Sequence, residues 1–316
     1  MDIGKTLGIL ILSLGCFSAV GQKYETTRNT SFMETVDADA RIFVWHHFLS
    51  DDECDYIRQK AEKRLERSGV VDTGNGGSQI SDIRTSDGMF FARAEDEVIE
   101  AIEKRLSDWT LTPVHAGEGL QVLRYRKDQK YDAHWDYFFD KVNSVNGGNR
   151  YATVLMYLAA ADDGGETVFP KVPAPNGINA DFSDCAKYSL AVKPKKGDAI
   201  LFHSMNATGE LEERSMHGAC PVLKGEKWSM TKWIHGSHYY MGGDKYDLQN
   251  QEYTRLLNVF KAGGNHANGT FSALCNVQSY SSRKCRSGRI LSGTQHDVDS
   301  ESSERVLQAS KITLVA

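Results

Sequence analysis

The chain changes character several times along its length. Residues 6–20 (TLGILILSLGCFSAV) form an almost unbroken apolar run, and residues 22–40 are polar and read as a linker. Residues 41–48, RIFVWHHF, are aromatic and β-branched, which predicts a strand. Ser50-Asp-Asp-Glu53 has the form of a capping box, which predicts a helix from there to about Arg67. Ile57, Ala61 and Leu65 fall on one stripe of that helix. Residues 68–87 are rich in Gly, Ser and Thr and predict a long loop, which in a compact domain usually has a function. A second helix is predicted over residues 94–109, with Val98, Ile102 and Leu106 at i, i+4 and i+8.

After Gly119 the period shortens to that of strands. LQVLRYR, KYDAHWDYF, YATVLMYLAA, GETVFP, YSLAVKPKKGDAILF and EKWSMTKWI follow one another, separated by Gly, Asn, Pro and Lys turns. Two helices and then many short strands predict an α+β domain over residues 41–240, a β sandwich or jelly roll with helical support. Residues 241–278 are a weakly patterned extension with a short helix near 251–260. Residues 279–316 are polar and Ser-rich, which predicts disorder.

Composition adds limits. The chain has 316 residues, 40% apolar and 25% charged, with a net charge of −5 and no long basic run. Nothing in that balance suits nucleic acid. The apolar run at 6–20 follows one lysine and precedes small residues, which predicts a signal peptide over residues 1–21 or an uncleaved signal anchor. The run is short of the ~20 apolar residues of a membrane span. Asn29-Thr-Ser, Asn206-Ala-Thr and Asn268-Gly-Thr are glycosylation sequons. Of six cysteines, Cys16 lies in the apolar run, leaving Cys54, Cys185, Cys220, Cys275 and Cys285. One or two disulfides suit an oxidising compartment, and spacing does not fix their pairing.

The candidate chemistry begins at DAHWDY, residues 132–137. On a strand, His134 and Asp136 point to one face. They would supply two of the three ligands of the 2-His-1-carboxylate set that holds non-haem Fe(II). An H-x-D triplet alone is common in surface turns, so a third ligand is needed. His203 ends an apolar strand, where a structural histidine is the commoner case. His217 precedes Gly218 and Ala219, which allow close approach. Ten residues on comes Lys227, in GEKWSMTKWI. An inward lysine among Trp228, Met230 and Trp233 would be costly without an anion to meet it. A surface lysine is the ordinary alternative.

Taken together, QVLRYRKDQKYDAHWDYF, GGETVFP, KPKKGDAILFHS and MHGACPVLKGEKWSMTKWI resemble the Fe(II)/2-oxoglutarate dioxygenases. Within them the chain is similar to the prolyl 4-hydroxylases of the plant and algal secretory type, over about residues 44–238. The resemblance implies a double-stranded β-helix (jelly roll) core. It implies Fe(2+) on His134, Asp136 and His217, and 2-oxoglutarate on Lys227 and Tyr125, with Thr167 and Trp233 in the same pocket. It implies O2 as co-substrate and L-ascorbate as reductant. Glu118, Tyr131, Arg150 and His235 match positions near a peptide groove. The segment 68–87, with RTS at 84–86, matches a mobile piece that closes over the peptide. Tyr131, Trp135, Tyr137, Phe138 and Phe139 supply aromatics near the metal, about half of them expected to face inward.

The activity implied is 4-hydroxylation of peptidyl proline in extensin-like, arabinogalactan-like or collagen-like chains. The compartment implied is the endoplasmic reticulum, lumen or lumenal membrane side, extending to the Golgi. The N-terminal segment would be the membrane anchor if there is one. Lysyl hydroxylases typically present an arginine where Lys227 stands, which favours proline. A lysyl hydroxylase, another 2-oxoglutarate oxygenase, or an inactive jelly-roll module that binds peptide or glycan are the rival readings. Some relatives carry a six-cysteine module after the catalytic domain, which this sequence lacks. Cys185 and Cys220 flank the motif strands and are the favoured disulfide. The sequence leaves the oligomeric state undetermined.

Overall fold

Residue parity along the strands decides which side chains reach the site. In the computed structural model, residues 31–71 and 77–261 are described. Strands β1 (Phe32–Asp37) and β2 (Ile42–His46) lead into helix α1 (Asp51–Glu62). Short strands β3 (Glu66–Arg67), β4 (Gly69–Val71), β5 (Ser78–Ile80) and β6 (Asp87–Phe91) precede helix α2 (Glu97–Thr110). Then come β7 (Leu120–Tyr125), β8 (Tyr131–His134), β9 (Arg150–Ala159), β10 (Asp163–Gly164) and β11 (Thr167–Pro173). The last strands are β12 (Ser189–Val192), β13 (Ala199–His203), β14 (His217–Ala219), β15 (Val222–Lys224) and β16 (Lys227–His235), followed by helix α3 (Lys245–Lys261).

An eight-stranded sheet runs in the order β1-β2-β13-β9-β16-β7-β6-β3, and a four-stranded sheet in the order β12-β11-β14-β8. All their pairings are antiparallel. One face of the large sheet packs on the helices. Ile57 and Ala61 of α1 and Ile99, Ile102 and Leu106 of α2 meet Val122, Val154, Met156, Met230 and Ile234. On the other face, Ile42, Val44, Tyr157, Ile200 and Phe202 meet Phe169, Val172 and Leu190 of the small sheet. This two-layer arrangement with helices behind is the jelly roll that the strand pattern predicts. Along β16, residues 228, 230 and 234 face the helices, and 227, 229, 231 and 233 line the space between the sheets. Trp228 and Met230 therefore lie across the sheet from Lys227, and only Trp233 shares its side.

Several boundaries differ from those the pattern predicts. Residues 32–37, inside the stretch read as a linker, form an edge strand on β2. The capping box of α1 is present, with Ser50 and Glu53 each accepting the other's backbone N–H. The helix stops at Glu62 instead of Arg67, because Glu66 and Arg67 pair with β6. Helix α2 starts at Glu97, since the Asp96 side chain accepts the Ile99 N–H as N-cap. The predicted loop 68–87 contains the β4–β5 pair, and residues 72–76 lie outside the described residues. Helix α3 begins before the predicted 251–260, at Lys245, where Asp244 accepts from the Tyr246 and Asp247 backbones.

Cys185 and Cys220 form a disulfide. The chain divides into two units, Met1–Asn250 and Gln251–Ala316; of the second, the helical residues 251–261 are described. The N-terminal apolar run, Asn29, Asn268, Cys275, Cys285 and the tail from 279 lie outside the described residues. Among the described residues, no helix is long and apolar enough to cross a membrane.

Candidate metal centre and co-substrate pocket

His217 of β14 is the direct cross-strand partner of His134 of β8. Opposed residues on one sheet face stand side by side, and the two imidazole centroids are 4.4 Å apart. Gly218 makes the pairing possible. A Cβ there would stand 3.0 Å from the Tyr131 carbonyl oxygen and 3.2 Å from the Ala133 nitrogen. Asp136 lies just past the end of β8, so strand alternation alone does not aim it. Its Oδ1 is 3.7 Å from His134 Nε2 and its Oδ2 3.7 Å from His217 Nε2. The three residues offer ligand atoms all within 4.8 Å of one another, the one such cluster among the described residues. His203 ends β13 away from this cluster, against Arg41 and Tyr151.

The donor set fits a ferrous ion. His134 Nδ1 lies 2.8 Å from the Asp132 carbonyl, and His217 Nδ1 3.0 Å from the Ser215 carbonyl. A carbonyl only accepts, so each Nδ1 carries the proton and each Nε2 presents its lone pair inward. Burial and the neighbouring His217 push His134 down to about 3, which keeps it neutral and able to ligate. Burial opposes the charge on Asp136, but His217, His134, Arg150 and the Thr153 hydrogen bond outweigh it, and the carboxyl sits well below its ordinary range. Two histidines and a carboxylate with open positions are the facial set of non-haem Fe(II) oxygenases. Tyr131 stacks on His134 at 3.7 Å, and Phe202 lies 4.4 Å from His217, fixing both rings.

Lys227 opens into the same cavity. It is only 1% exposed and makes no ion pair or hydrogen bond among the described residues. Burial pushes its ammonium down to about 7, and Glu166 alone pulls the other way. The Gly164-Gly165 turn has φ of +72° at both residues, a conformation glycine adopts freely, and Gly165 lies against the lysine stem. Tyr125, the cross-strand partner of Lys227, lines the cavity with Thr167 and Trp233. Trp233 Nε1 is buried and has no hydrogen-bond partner among the described residues. The pocket thus pairs a metal-ligand set with an unmatched ammonium and an unmatched N–H, as an anionic co-substrate requires.

Of the four expected groove residues, Tyr131 lines the cavity. The other three form a buried network beside the metal carboxylate. Glu118 Oε1 accepts from Arg150 Nε at 2.7 Å and lies 3.0 Å from His235 Nε2. Arg150 lies 3.9 Å above the Trp233 ring and reaches to 3.9 Å from Asp136 Oδ1. In the RTS segment at 84–86, Arg84 and Ser86 are buried. Arg84 lines the cavity over the Tyr131 ring, and Thr85 bonds Lys130. Sequence reasoning missed Arg84 as a wall residue, and also Thr153 and Tyr157. Tyr157 donates to Thr167 at 2.7 Å and lies 5.4 Å from the Lys227 ammonium. Strand parity in YATVLMYLAA was the available signal: 153, 155 and 157 share the cavity face.

The jelly roll, the two histidines and carboxylate, and the buried lysine define a 2-oxoglutarate- and Fe(II)-dependent oxygenase. The family model described as the 2OG-Fe(II) oxygenase superfamily matches residues 120–235. Prolyl 4-hydroxylase 2 of Arabidopsis thaliana is 47% identical over 234 residues, covering 72% of this chain and 78% of that protein. Prolyl 4-hydroxylase 5 of the same plant is 50% identical over 209 residues, covering 65% and 71%. The chain belongs to the prolyl 4-hydroxylases of that superfamily. A solved viral collagen prolyl hydroxylase from Paramecium Bursaria Chlorella virus-1 is 28% identical and covers 61% of this chain and 94% of its own, with a TM-score of 0.45.

Proposed function

We propose that the protein hydroxylates C4 of peptidyl proline, using Fe(II), 2-oxoglutarate and O2. The observation that carries this is the convergence of His134, Asp136, His217 and an unpaired Lys227 on one buried cavity. Family membership supplies the proline. Bound Fe(II) with its co-substrates supplies the oxidising chemistry, in which 2-oxoglutarate becomes succinate and CO2 and a C–H becomes C–OH.

The chain's own residues bind, orient and exclude water. His134, Asp136 and His217 hold the ion. Lys227 meets the distal carboxylate of 2-oxoglutarate as a charge-assisted partner. Tyr125, Thr167 and Tyr157 give that end of the pocket hydroxyl groups, and Trp233, paired with Thr153 near the metal carboxylate, offers an N–H without a partner among the described residues. Phe202, Leu155 and Leu123 line the remaining wall and keep water out.

The finer reading concerns the peptide. Trp135, Tyr137 and Phe139 form a partly exposed aromatic group beside the site, with Phe139 within 5.8 Å of Trp135 and 5.4 Å of Tyr137. Such a surface suits the extended polyproline helix, which has no internal hydrogen bonds. Proline-rich chains of extensin, arabinogalactan or collagen-like composition are therefore the proposed substrates, with L-ascorbate as accessory reductant.

The proposed compartment is the endoplasmic reticulum, lumen or lumenal membrane side, extending to the Golgi. The Cys185–Cys220 disulfide supports it. So does Asn206, which sits in an exposed turn where its Oδ1 accepts from Thr208 Oγ1 at 2.7 Å and Glu210 N at 3.0 Å. The full chain made in secretory cells should shift in size on endoglycosidase treatment, and Asn206→Gln should remove one step of that shift; an unglycosylated product would contradict the assignment.

Succinate release with and without a proline-rich peptide tests the activity. Turnover should depend on the peptide, whose prolines gain one oxygen each by mass spectrometry. His217→Ala should abolish it. Lys227→Ala should raise the 2-oxoglutarate KM about 100-fold or more, as loss of a buried charge partner does. Oxygen gain on lysine alone, or turnover unchanged in His217→Ala, would overturn the reading.

A further inference from the structure

Asp136 needs a tether that its own strand does not give. Strand β8 ends at His134, two residues earlier, and a carboxylate in a turn can rotate. Among the described residues it receives one hydrogen bond, from Thr153 Oγ1 to Oδ2 at 2.6 Å. A carboxylate only accepts, so the threonine donates. Both residues are buried.

Thr153 is well placed to act as a fixed point. It lies within β9 and pairs on one side with Phe202 of β13 and on the other with Trp233 of β16. Its backbone is therefore held from both sides, and its β-branched side chain has little χ1 freedom. With Oδ2 engaged, Oδ1 is left without a hydrogen bond among the described residues. Oδ1 lies 3.7 Å from His134 Nε2 and 3.9 Å from Arg150 Nη1, and Oδ2 lies the same 3.7 Å from His217 Nε2.

We propose that Thr153 is a positioning residue for the metal centre, whose hydroxyl holds Asp136 by Oδ2 and so fixes the carboxylate against His134 and His217. The proposal rests on the metal-site reading above and adds a residue that the reading does not require. A valine at 153 would fill the same space on the same strand, so a merely packing role and a tethering role make different predictions.

The test is Co(II) titration of the purified full chain, wild type beside Thr153→Val and Thr153→Ser, by calorimetry and visible absorption. The tether predicts that Thr153→Val weakens Co(II) binding about 10- to 100-fold, the usual effect of losing a partner of a metal ligand. Thr153→Ser, which keeps the hydroxyl, should bind within about threefold of wild type. Melting of the metal-free proteins reports folding separately; if the valine variant does not fold, Thr153→Ala against Thr153→Ser makes the same comparison. Valine or alanine binding as tightly as wild type would overturn the proposal, and so would serine binding as weakly as valine. If the wild type binds no Co(II), the metal-site reading fails first, and this proposal with it.

Discussion

Lys227 shows how one residue couples charge, burial and co-substrate. Its ammonium is enclosed beside the Tyr125 and Tyr157 rings, 5.5 and 5.4 Å away, with no carboxylate paired to it among the described residues. Burial lowers it from 10.5 to about 7 in the free protein. Between those two values the unfolded chain holds the proton more tightly than the folded one. Stability of the co-substrate-free protein therefore rises with pH across that window. A bound dicarboxylate reverses the balance by favouring the charged form. Binding of 2-oxoglutarate should then take up a proton near and above pH 7. Its Kd should weaken by up to about tenfold per pH unit above 7, for a single linked proton. Calorimetry in buffers of differing ionisation enthalpy reads both effects. A Kd flat from pH 6.5 to 8.5 with no proton uptake would contradict the role of Lys227. Thr153 makes a complementary point: a neutral side chain on the large sheet holds a charged one that follows a strand of the small sheet.

Elements carry what single residues cannot. His134 and His217 meet because β8 and β14 are paired in the register that opposes them, and Gly218 lets those backbones close up. The motif spacing made both histidines and the lysine legible in the sequence, as it did the two helices and the run of strands. Strand partners were not legible, since hydrogen-bonded neighbours in the large sheet lie far apart in the chain, as β2 and β13 do. That is why Tyr157 and Thr153 were missed, although their parity with each other could be read from alternation. The contacts among Glu118, Arg150 and His235 were illegible for the same reason. A buried charge network looks the same in sequence as a set of polar surface positions, until folding joins β9, β16 and the segment before β7. Boundaries failed for local reasons. Glu66 and Arg67 continue a helical pattern, but an open sheet edge at β6 recruits them.

At the scale of the molecule, the helices serve the site by position alone. Packed on one face of the large sheet, α1 and α2 leave the other face to the small sheet and the cavity between. Buried charges on the helix side support that arrangement. Lys232, on the opposite parity from Lys227, pairs with Glu103 of α2 at 2.6 Å, whereas Lys227 has no such partner among the described residues. Arg93 binds Asp244 and Asp247 at 2.6 and 2.8 Å and so ties the turn after β6 to the start of α3. Two lysines five residues apart on β16 thus have opposite fates. One is neutralised within the fold, and the other makes no ion pair among the described residues.

The central claim is that the fold assembles a site for a ferrous ion and a dicarboxylate together. Anaerobic titration of the purified protein with Fe(II) and then 2-oxoglutarate, followed by visible absorption, tests it most directly. A weak charge-transfer band should appear only when both are present, saturate at one equivalent of iron, and be absent in His217→Ala. Wild-type protein that gives no band, or a variant without the 217 imidazole that gives the same band, would contradict the account.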